Sequence, residues 1–458
     1  MNKFPLRGVV EGFYGTFYTQ PERIDLIRFL GQQDYNLYLY APKNDRQHRA
    51  RWREAYPAKV MDQFAQTVDA ARESGVNFCY SVAPGVSISY ASEEDFEAIT
   101  RKFRAFYDIG VRAFSLLLDD IDSDFQHDAD RLRYATYADA HADLCNRVYA
   151  WLQALDPACT LSMCPTDYWG AAPFSDYIHT LGARLDRAID VFYTGRDICV
   201  PEISAEDVTA FAAATNRPPL IWDNYPVNDL SMQHEMHIGA VAGRDPALVG
   251  SVRGILINTM IQPEASKIAL MTYADFLRDP AGYDADASWT NAMQAIAGDA
   301  ADSLRLFSEN SLYSCLGRPE AKPLQMRVDD LMASLLRREG VIGSPAAEAL
   351  NAYLTALDEA NYVLKFRMDN LKLRHELIPW IEKLDLWIWL GRFALQTLEA
   401  LERRQPYEKP LAMMKEWRDA ALAHPKRVGG RALIALTDFT LERVAALAEK
   451  EAQTRDAG

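Results

Sequence analysis

The sequence predicts an α/β fold, a (β/α)8 TIM barrel followed by an all-helical C-terminal domain, and three observations support this prediction. Eight short β-rich runs recur before residue 284. The intervals between these runs contain helix-like segments, as expected for strand–helix units that pair in parallel. After residue 284 the strand-like runs disappear, and long segments with a 3.6-residue apolar period replace them.

The eight runs are short, apolar and rich in β-branched and aromatic residues, which is typical of strands buried on both faces. Eight such units match a barrel of about 250 residues. A doubly wound open sheet is the alternative, although it rarely has eight regular units. No glycine-rich phosphate loop follows any run, so a dinucleotide-binding fold is not predicted. The runs begin near Gly8, Asn36, Asn77, Ala113, Thr160, Asp190, Pro219 and Gly254.

The domains are predicted to be a catalytic barrel over residues 1–283 and a helical bundle over residues 284–458. In the bundle, one long helix is expected over 346–373, and others over 380–401 after Pro379 and over 431–450.

The tryptophans of the helical bundle are interpreted as core residues rather than ligand contacts. Helical bundles also form dimer interfaces, so a homodimer through this domain is compatible with the sequence. These tryptophans are Trp380, Trp387 and Trp389. In the barrel, helices are expected over 21–32, 61–73, 93–109, 135–155, 205–214 and 264–277.

The composition describes an ordinary globular protein. Of 458 residues, 49% are hydrophobic and 25% are charged, and the net charge of −15 argues against nucleic acid or an anionic membrane as partner. The six cysteines form no C-x-x-C pair, which favours a reducing compartment. No apolar run approaches the roughly 20 residues of a membrane span, and no secretory signal begins the chain. A cytoplasmic location is therefore expected.

The stretch Leu116-Leu117-Leu118-Asp119-Asp120 is the strongest candidate for chemistry. An arbitrary acidic pair is more often a helix cap, but here it ends a predicted barrel strand. Strand ends of a barrel open onto one face, where active sites lie. Carboxylates for proton transfer beside aromatic rings suggest a sugar site. Other polar residues that follow strands are Glu11, Lys43, Asn44, Asp45, Thr166, Asp167, Tyr168, Thr194, Asp223, Asn224 and Asn258.

Two other chemistries are not supported. The segment His234-Glu235-Met236-His237 lacks a third ligand motif and does not form H-E-x-x-H. No G-x-S-x-G nucleophile motif occurs either. We therefore expect no metal site and no cofactor.

The barrel resembles glycoside hydrolase family 84, the β-N-acetylglucosaminidases that include the O-GlcNAcases. Several short motifs carry the resemblance because they occur in the same order along the barrel. They are Arg7–Gly15 (RGVVEGFYG), Tyr40–Asp45 (YAPKND), Leu118–Asp120 (LDD), Cys164–Tyr168 (CPTDY), Trp222–Asn224 (WDN) and Asn228-Asp229. The helical domain is also similar to the one that follows the barrel in this family.

The resemblance implies a retaining exo-β-N-acetylglucosaminidase that uses substrate-assisted catalysis. The 2-acetamido carbonyl of the substrate attacks the anomeric carbon and forms an oxazoline, which water then opens. Ionised Asp119 would orient the acetamide N–H and stabilise its developing charge. Asp120 would begin protonated, donate its proton to the leaving oxygen and later accept one from water. Both carboxylates reach the site only if the strand has ended or twisted by Asp119.

The resemblance also implies a set of substrate-binding residues. Asp229 would bind the 4- and 6-hydroxyls, Lys43 and Asn258 the other hydroxyls, and Asn224 the 3-hydroxyl region or the neighbouring carboxylate. Tyr168 would donate to the acetamide carbonyl, and Trp222 and Thr194 would surround the acetyl methyl group. Gly12, Phe13 and Tyr14 would line the floor and the aglycone side of the pocket.

The expected substrate is β-linked GlcNAc, in particular O-linked GlcNAc on serine or threonine of proteins or peptides. The alternatives are a glycosidase that acts on free N-acetylhexosaminides or hyaluronan-like glycans, and a non-catalytic GlcNAc-binding protein. The sequence departs from the family in two places near the rim, which bears on aglycone preference. These departures are Thr16-Phe17-Tyr18, where Pro-Trp often follows the first motif, and Trp169.

Overall fold

The computed structural model describes residues 4–122 and 124–456, and they form two compact units. One unit contains the chain up to Ser231 together with Ala240–Ser288, and the other contains Met232–Gly239 and the chain from Trp289 onward. The short segment Met232–Gly239 thus belongs to the second unit. The predicted domain boundary after residue 283 remains a proposal.

The first unit contains a closed barrel of eight parallel strands in the order β1-β2-β3-β4-β5-β6-β7-β8, and β1 pairs with β8 to close it. All eight predicted strands and the fold class are confirmed. The strands are β1 Leu6–Glu11, β2 Leu37–Tyr40, β3 Asn77–Val82, β4 Ala113–Leu117, β5 Thr160–Cys164, β6 Asp190–Tyr193, β7 Leu220–Asp223 and β8 Gly254–Asn258.

Helices follow the strands and pack around them. Helix capping explains several of their first residues, because Thr19 and Thr136 each form a capping box with an acidic residue three positions later. The first such helix buries Leu26, Ile27 and Leu30 at helical spacing, and each buried side chain contributes roughly 1.5–3 kcal/mol. The helices are α1 Gln20–Gln32, α2 Ala58–Glu73, α3 Glu93–Asp108, α4 Asp128–Arg133, α5 Tyr137–Leu155, α6 Asp176–Arg184, α7 Ala205–Thr215 and α8 Pro263–Arg278.

The barrel interior is filled with side chains and is not a pore, as expected for eight strands. Tyr168, which follows β5, and Trp222, near the end of β7, belong to this cluster. The rings of Tyr168 and Trp222 therefore pack directly against the barrel core. The interior residues are Val10, Leu37, Leu39, Ala41, Cys79, Ala83, Leu117, Cys164, Tyr168, Phe192, Leu220, Trp222 and Leu256.

The helices after the barrel differ in two places from those predicted. The expected helix over 346–373 ends at Phe366, and the next helix begins at Leu371, where the Asn370 side chain accepts a hydrogen bond from the Leu373 N–H. Pro379 lies inside this second helix rather than before it. The helices are α9 Ala285–Ala297, α10 Ala301–Ser308, α11 Lys322–Leu336, α12 Pro345–Phe366, α13 Leu371–Arg403, α14 Glu408–Ala423 and α15 Ala432–Asp456.

Two of the three tryptophans predicted as core residues of the helical domain are buried. Trp380 and Trp387 are 1% and 4% exposed, and the Trp380 indole donates to the His234 carbonyl. Trp389 is 37% exposed and lies 6.1 Å from the ring of Trp417, so its assignment to the core is wrong. The Arg392 guanidinium lies over the Trp389 ring at 4.9 Å. None of the helices in the described ranges is both long and apolar enough to cross a membrane.

Candidate active site

Both carboxylates of the Asp119-Asp120 pair reach the mouth of the barrel because the strand ends before them. β4 ends at Leu117, and the Leu118 N–H still bonds the Cys164 carbonyl of β5 at 2.9 Å. Asp120 then adopts a left-handed conformation with φ +54°. Aspartate is one of the few non-glycine residues that tolerates this region. The turn removes the strand alternation that would have sent the two side chains to opposite faces.

Lys43, from the segment after β2, bridges the two carboxylates. Its Nζ lies 2.5 Å from Asp119 Oδ2 and 3.6 Å from Asp120 Oδ2. Burial lowers the pKa of Lys43, but the two adjacent carboxylates outweigh burial and hold that pKa above its usual range. The buried ammonium therefore stays charged, and it offsets the repulsion between the carboxylates.

One oxygen of Asp119 has no hydrogen-bond donor among the described residues. Asp119 is 9% exposed, its Oδ2 binds Lys43, and its Oδ1 is buried without a partner. A buried carboxylate oxygen without a donor costs free energy, so such atoms are frequently sites for a ligand or water. The carboxylate is thus ready to accept one further N–H or O–H.

Asp120 is held by two tyrosine hydroxyls. Tyr14 Oη donates to Asp120 Oδ2 at 2.8 Å, and Tyr168 Oη donates to Asp120 Oδ1 at 3.1 Å. Burial raises the pKa of Asp120, but Lys43 and these two hydrogen bonds outweigh burial and lower it. The contacts with Lys43, Tyr14 and Tyr168 therefore favour the charged form of Asp120, and its role as an acid that begins protonated stays a prediction.

The residues after β1 form one wall of the site. A Cβ on Gly12 would lie 2.5 Å from Trp222 Cζ2, so only glycine allows this close approach. The Tyr14 N–H donates to Asp229 Oδ2 at 2.6 Å, which places Asp229 beside the carboxylate pair. The Phe13 ring is fully buried and packs 5.0 Å from Tyr18. The Phe13 ring thus has no accessible surface, and the part of Phe13 that can line a pocket is its main chain.

Two asparagines connect the ends of β1, β7 and β8. Asn258 Oδ1 accepts from the Gly12 N–H at 3.2 Å, and Asn258 Nδ2 donates to Asn224 Oδ1 at 2.9 Å. The same Asn224 oxygen accepts from the Trp222 indole at 2.9 Å. Thr194 is 3% exposed and its hydroxyl donates to the Asp197 carbonyl. The two asparagines, Gly12 and Trp222 thus form one hydrogen-bonded wall, and Thr194 is held separately by Asp197.

Three carboxylates predicted at the mouth point outward instead. Glu11 accepts from Arg23 at 2.7 and 2.8 Å, and Asp223 forms a buried pair with Arg244. Asp45 accepts from the hydroxyls of Tyr40 and Tyr56. Strand alternation explains the outcome for Asp223, since its neighbours Trp222 and Asn224 face the mouth. These ion pairs and hydrogen bonds fix the strand ends.

Arg49 is a further residue of the site that was not predicted from the sequence. Arg49 Nη1 donates to Tyr14 Oη at 2.9 Å, so the guanidinium is one hydrogen bond removed from Asp120. The signal in the sequence was weak, because Arg49 is one of several basic residues that follow the Lys43-Asn44-Asp45 motif.

The residues that depart from the family near the rim differ in exposure, and the segment 234–237 belongs to the second unit. Trp169 is 46% exposed beside Tyr168, whereas Tyr18 is buried and donates to Met260. In the described part of the chain, no group of three His, Cys, Asp or Glu side chains is arranged to hold a metal ion. His237 binds Glu235 at 2.8 Å within its own short segment.

Comparisons with known proteins agree with this arrangement. A model of the β-N-acetylglucosaminidase family matches residues 7–309. The chain is 34% identical over 278 residues to proteins named protein O-GlcNAcase from Rattus norvegicus and Mus musculus. The match covers 60% of this chain but only 30% of each relative, so the chain spans about a third of their length.

Solved structures show the same likeness over more of the chain. A mutant of the Thermobaculum terrenum O-GlcNAc hydrolase superposes with a TM-score of 0.91 at 31% identity, covering 99% of this chain and 97% of that chain. CpGH84B superposes with a TM-score of 0.84 at 28% identity, covering 95% of this chain and 77% of that chain.

Proposed function

The chain belongs to the β-N-acetylglucosaminidase family of glycoside hydrolases, and we propose that it releases terminal β-linked GlcNAc by substrate-assisted catalysis with retention. The proposed substrate is O-linked GlcNAc on serine or threonine of a protein or peptide. The names of the similar proteins, O-GlcNAcase and O-GlcNAc hydrolase, support this choice of aglycone.

The observation that carries the proposal is the buried, unpartnered Oδ1 of Asp119 beside a lysine-bridged second carboxylate. We propose that this oxygen accepts the acetamide N–H of the substrate. The negative charge then stabilises the positive charge that develops on the acetamide as its carbonyl oxygen attacks the anomeric carbon. The Lys43 ammonium, 2.5 Å from Asp119 Oδ2, holds the Asp119 carboxylate in place.

Asp120 is the proposed acid and base. In the first step, the acetamide oxygen forms a bond to the anomeric carbon, the glycosidic bond breaks, and the leaving oxygen takes the proton of Asp120. In the second step, water attacks the anomeric carbon, Asp120 accepts the water's proton, and the oxazoline C–O bond breaks. The acetamide and the protonated Asp120 are thereby restored, and two inversions at the anomeric carbon give net retention.

The other residues have proposed roles in binding. Tyr168 Oη lies on Asp120 in the ligand-free protein, and we propose that it transfers its hydrogen bond to the acetamide carbonyl when substrate enters. The Asp229 carboxylate binds the 4- and 6-hydroxyls. The Lys43 and Asn258 side chains contribute to the remaining hydroxyls, and Asn224 to the 3-hydroxyl region. Trp222 and Thr194 enclose the acetyl methyl, and Gly12, the Phe13 main chain and Tyr14 form the wall beside the aglycone.

Turnover of a chromogenic β-N-acetylglucosaminide tests the proposal, with the matching β-glucoside as control. We expect hydrolysis of the former only, with the β-anomer of GlcNAc as first product in NMR spectra. Binding of GlcNAc without turnover would indicate a sugar-binding protein instead. Comparison of an O-GlcNAc peptide with chitobiose and with a hyaluronan oligosaccharide then identifies the aglycone.

The pH dependence is expected to differ between kcat/KM and kcat. Asp120 must be protonated to act as acid, but its pKa is lowered in the free protein, so kcat/KM should fall about tenfold per pH unit above that pKa. Bound substrate covers the 32% of the Asp120 side chain that is exposed, and this desolvation raises its pKa. The alkaline limb of kcat should therefore lie at higher pH than that of kcat/KM. Coincident limbs in steady-state rates would contradict this assignment.

Two further proposals concern the setting of the enzyme. The buried thiols Cys79, Cys145, Cys159 and Cys164 support a reducing compartment, and the cytoplasm is the proposed location. The homodimer expected through the helical domain stays a prediction. The exposed Tyr362, Phe366 and Leu371 on that unit are compatible with it.

A further inference from the structure

We propose that Arg49 is a positioning residue that fixes the Tyr14 hydroxyl as a hydrogen-bond donor to Asp120, and that it thereby sets the pH range in which Asp120 exchanges a proton. The catalytic consequence rests on the proposed function, whereas the effect of Arg49 on the titration of Asp120 does not.

The direction of the hydrogen bonds follows from the chemistry of the two side chains. Arg49 Nη1 lies 2.9 Å from Tyr14 Oη, and Tyr14 Oη lies 2.8 Å from Asp120 Oδ2. A guanidinium donates and does not accept, so the phenol oxygen must accept from Arg49. The single phenol proton is then directed to Asp120. Without Arg49 this proton is free to rotate away from the carboxylate.

The segment that carries Arg49 is fixed at several points, as positioning requires. The Asp45 carboxylate accepts from the Gln47 N–H at 2.9 Å. The His48 ring is fully buried and its Nε2 lies 2.7 Å from Ser81 Oγ. The buried Trp52 indole donates to Ser87 Oγ at 2.9 Å. Arg49 therefore projects from a rigid turn.

The charged and titratable groups around Asp120 come from five strand ends. Among them, Arg49 keeps its charge over the whole accessible pH range, so its effect on Asp120 does not itself titrate. Because Arg49 and Tyr14 favour the charged form of Asp120, their loss should raise the Asp120 pKa. The groups that face Asp120 are Tyr14 after β1, Lys43 and Arg49 after β2, Asp119 after β4, Cys164 and Tyr168 at and after β5, and Asp229 after β7.

The direct test is a pH titration of Asp120 in protein without substrate. Carboxyl 13C NMR of aspartate-labelled wild-type and Arg49→Met chains monitors this titration. We expect the Asp120 pKa to rise by about half to one unit in Arg49→Met. The matched control is Arg51→Met, since Arg51 lies two residues away and pairs with the exposed Glu54. This control should leave the Asp120 titration unchanged.

A double-mutant cycle with Tyr14→Phe separates positioning from charge alone. If Arg49 acts through the Tyr14 hydroxyl, most of the shift caused by Arg49→Met should vanish in the Tyr14→Phe background. An equal shift in both backgrounds, or no shift in Arg49→Met, would overturn the proposal. Thermal unfolding of each variant identifies a purely structural effect, which lowers Tm without moving the titration.

Kinetics then connect the titration to the proposed reaction. The alkaline limb of kcat/KM should move to higher pH in Arg49→Met by the same amount as the NMR titration. If the wild-type enzyme hydrolyses no β-N-acetylglucosaminide, the proposed function fails while the NMR result still decides the role of Arg49. If wild-type turnover is normal and the limb stays in place despite the NMR shift, only the catalytic consequence fails.

Discussion

The Asp120→Asn variant is expected to lose about 10²–10⁴-fold in kcat/KM on substrates with alkyl or sugar leaving groups. A dinitrophenyl leaving group needs no proton, so its kcat/KM should change little. The physical reason is that Asp120, between Tyr14 and Tyr168, is the carboxylate proposed to protonate the glycosidic oxygen. The measurement is a plot of log kcat/KM against leaving-group pKa, which should be steeper for the variant.

Asparagine is a suitable replacement because it also tolerates the left-handed conformation of residue 120. The matched control is Asp122→Asn, since Asp122 is exposed and has no proposed part in the chemistry. Parallel plots for the variant and the wild type would show that another group supplies the proton.

The Asp119→Asn variant is expected to lose about 10²–10³-fold in kcat/KM for every leaving group, including dinitrophenyl. The replacement removes the charge that stabilises the acetamide during its attack, and this attack is required whichever leaving group departs. It also leaves the buried ammonium of Lys43 with Asp120 as its remaining carboxylate neighbour in the pair.

The two aspartate variants are therefore distinguished by how their losses depend on the leaving group. Pre-steady-state rates of both variants and the wild type are measured with dinitrophenyl and methyl β-N-acetylglucosaminides. These rates give the loss of each variant for each leaving group. A loss for Asp119→Asn that disappears with the dinitrophenyl substrate would mean that Asp119, and not Asp120, is the acid.

The barrel was predictable from the sequence because its signal is repeated. Each buried strand is a short apolar run, and the polar residues directly after the runs mark one mouth of the barrel. The family resemblance in the ordered motifs agrees with the comparisons over residues 7–309. The acidic pair, Lys43, Tyr168 and Asp229 lie close together as expected.

Side-chain direction was harder to predict than strand position. Glu11 and Asp223 look like mouth residues in sequence, but each is buried against an arginine, which lies 12 and 21 residues further along the chain respectively. The left-handed turn at Asp120 has no signal in the sequence, since an aspartate there is also compatible with extended backbone. The protonation state of Asp120 depends on Tyr14, Tyr168 and Lys43 together.

The helical domain shows how a local rule is overridden. Pro379 predicted a helix boundary, because proline lacks an N–H and disfavours the helical conformation of the preceding residue. The structure places it nine residues into α13, and the boundary lies instead at the Asn370 cap. The buried side chains of α13, which include Trp380 and Leu384, favour a continuous helix over the lost hydrogen bond.

The central claim is that the substrate's own acetamide, and not a protein side chain, attacks the anomeric carbon. The most direct test is the rate of wild-type hydrolysis for a series of aryl β-glycosides whose N-acetyl group carries zero, one, two or three fluorines. Fluorine makes the carbonyl oxygen less nucleophilic, so we predict that kcat/KM falls steeply and log-linearly along the series. A rate that is insensitive to fluorination would contradict substrate assistance and indicate a protein nucleophile.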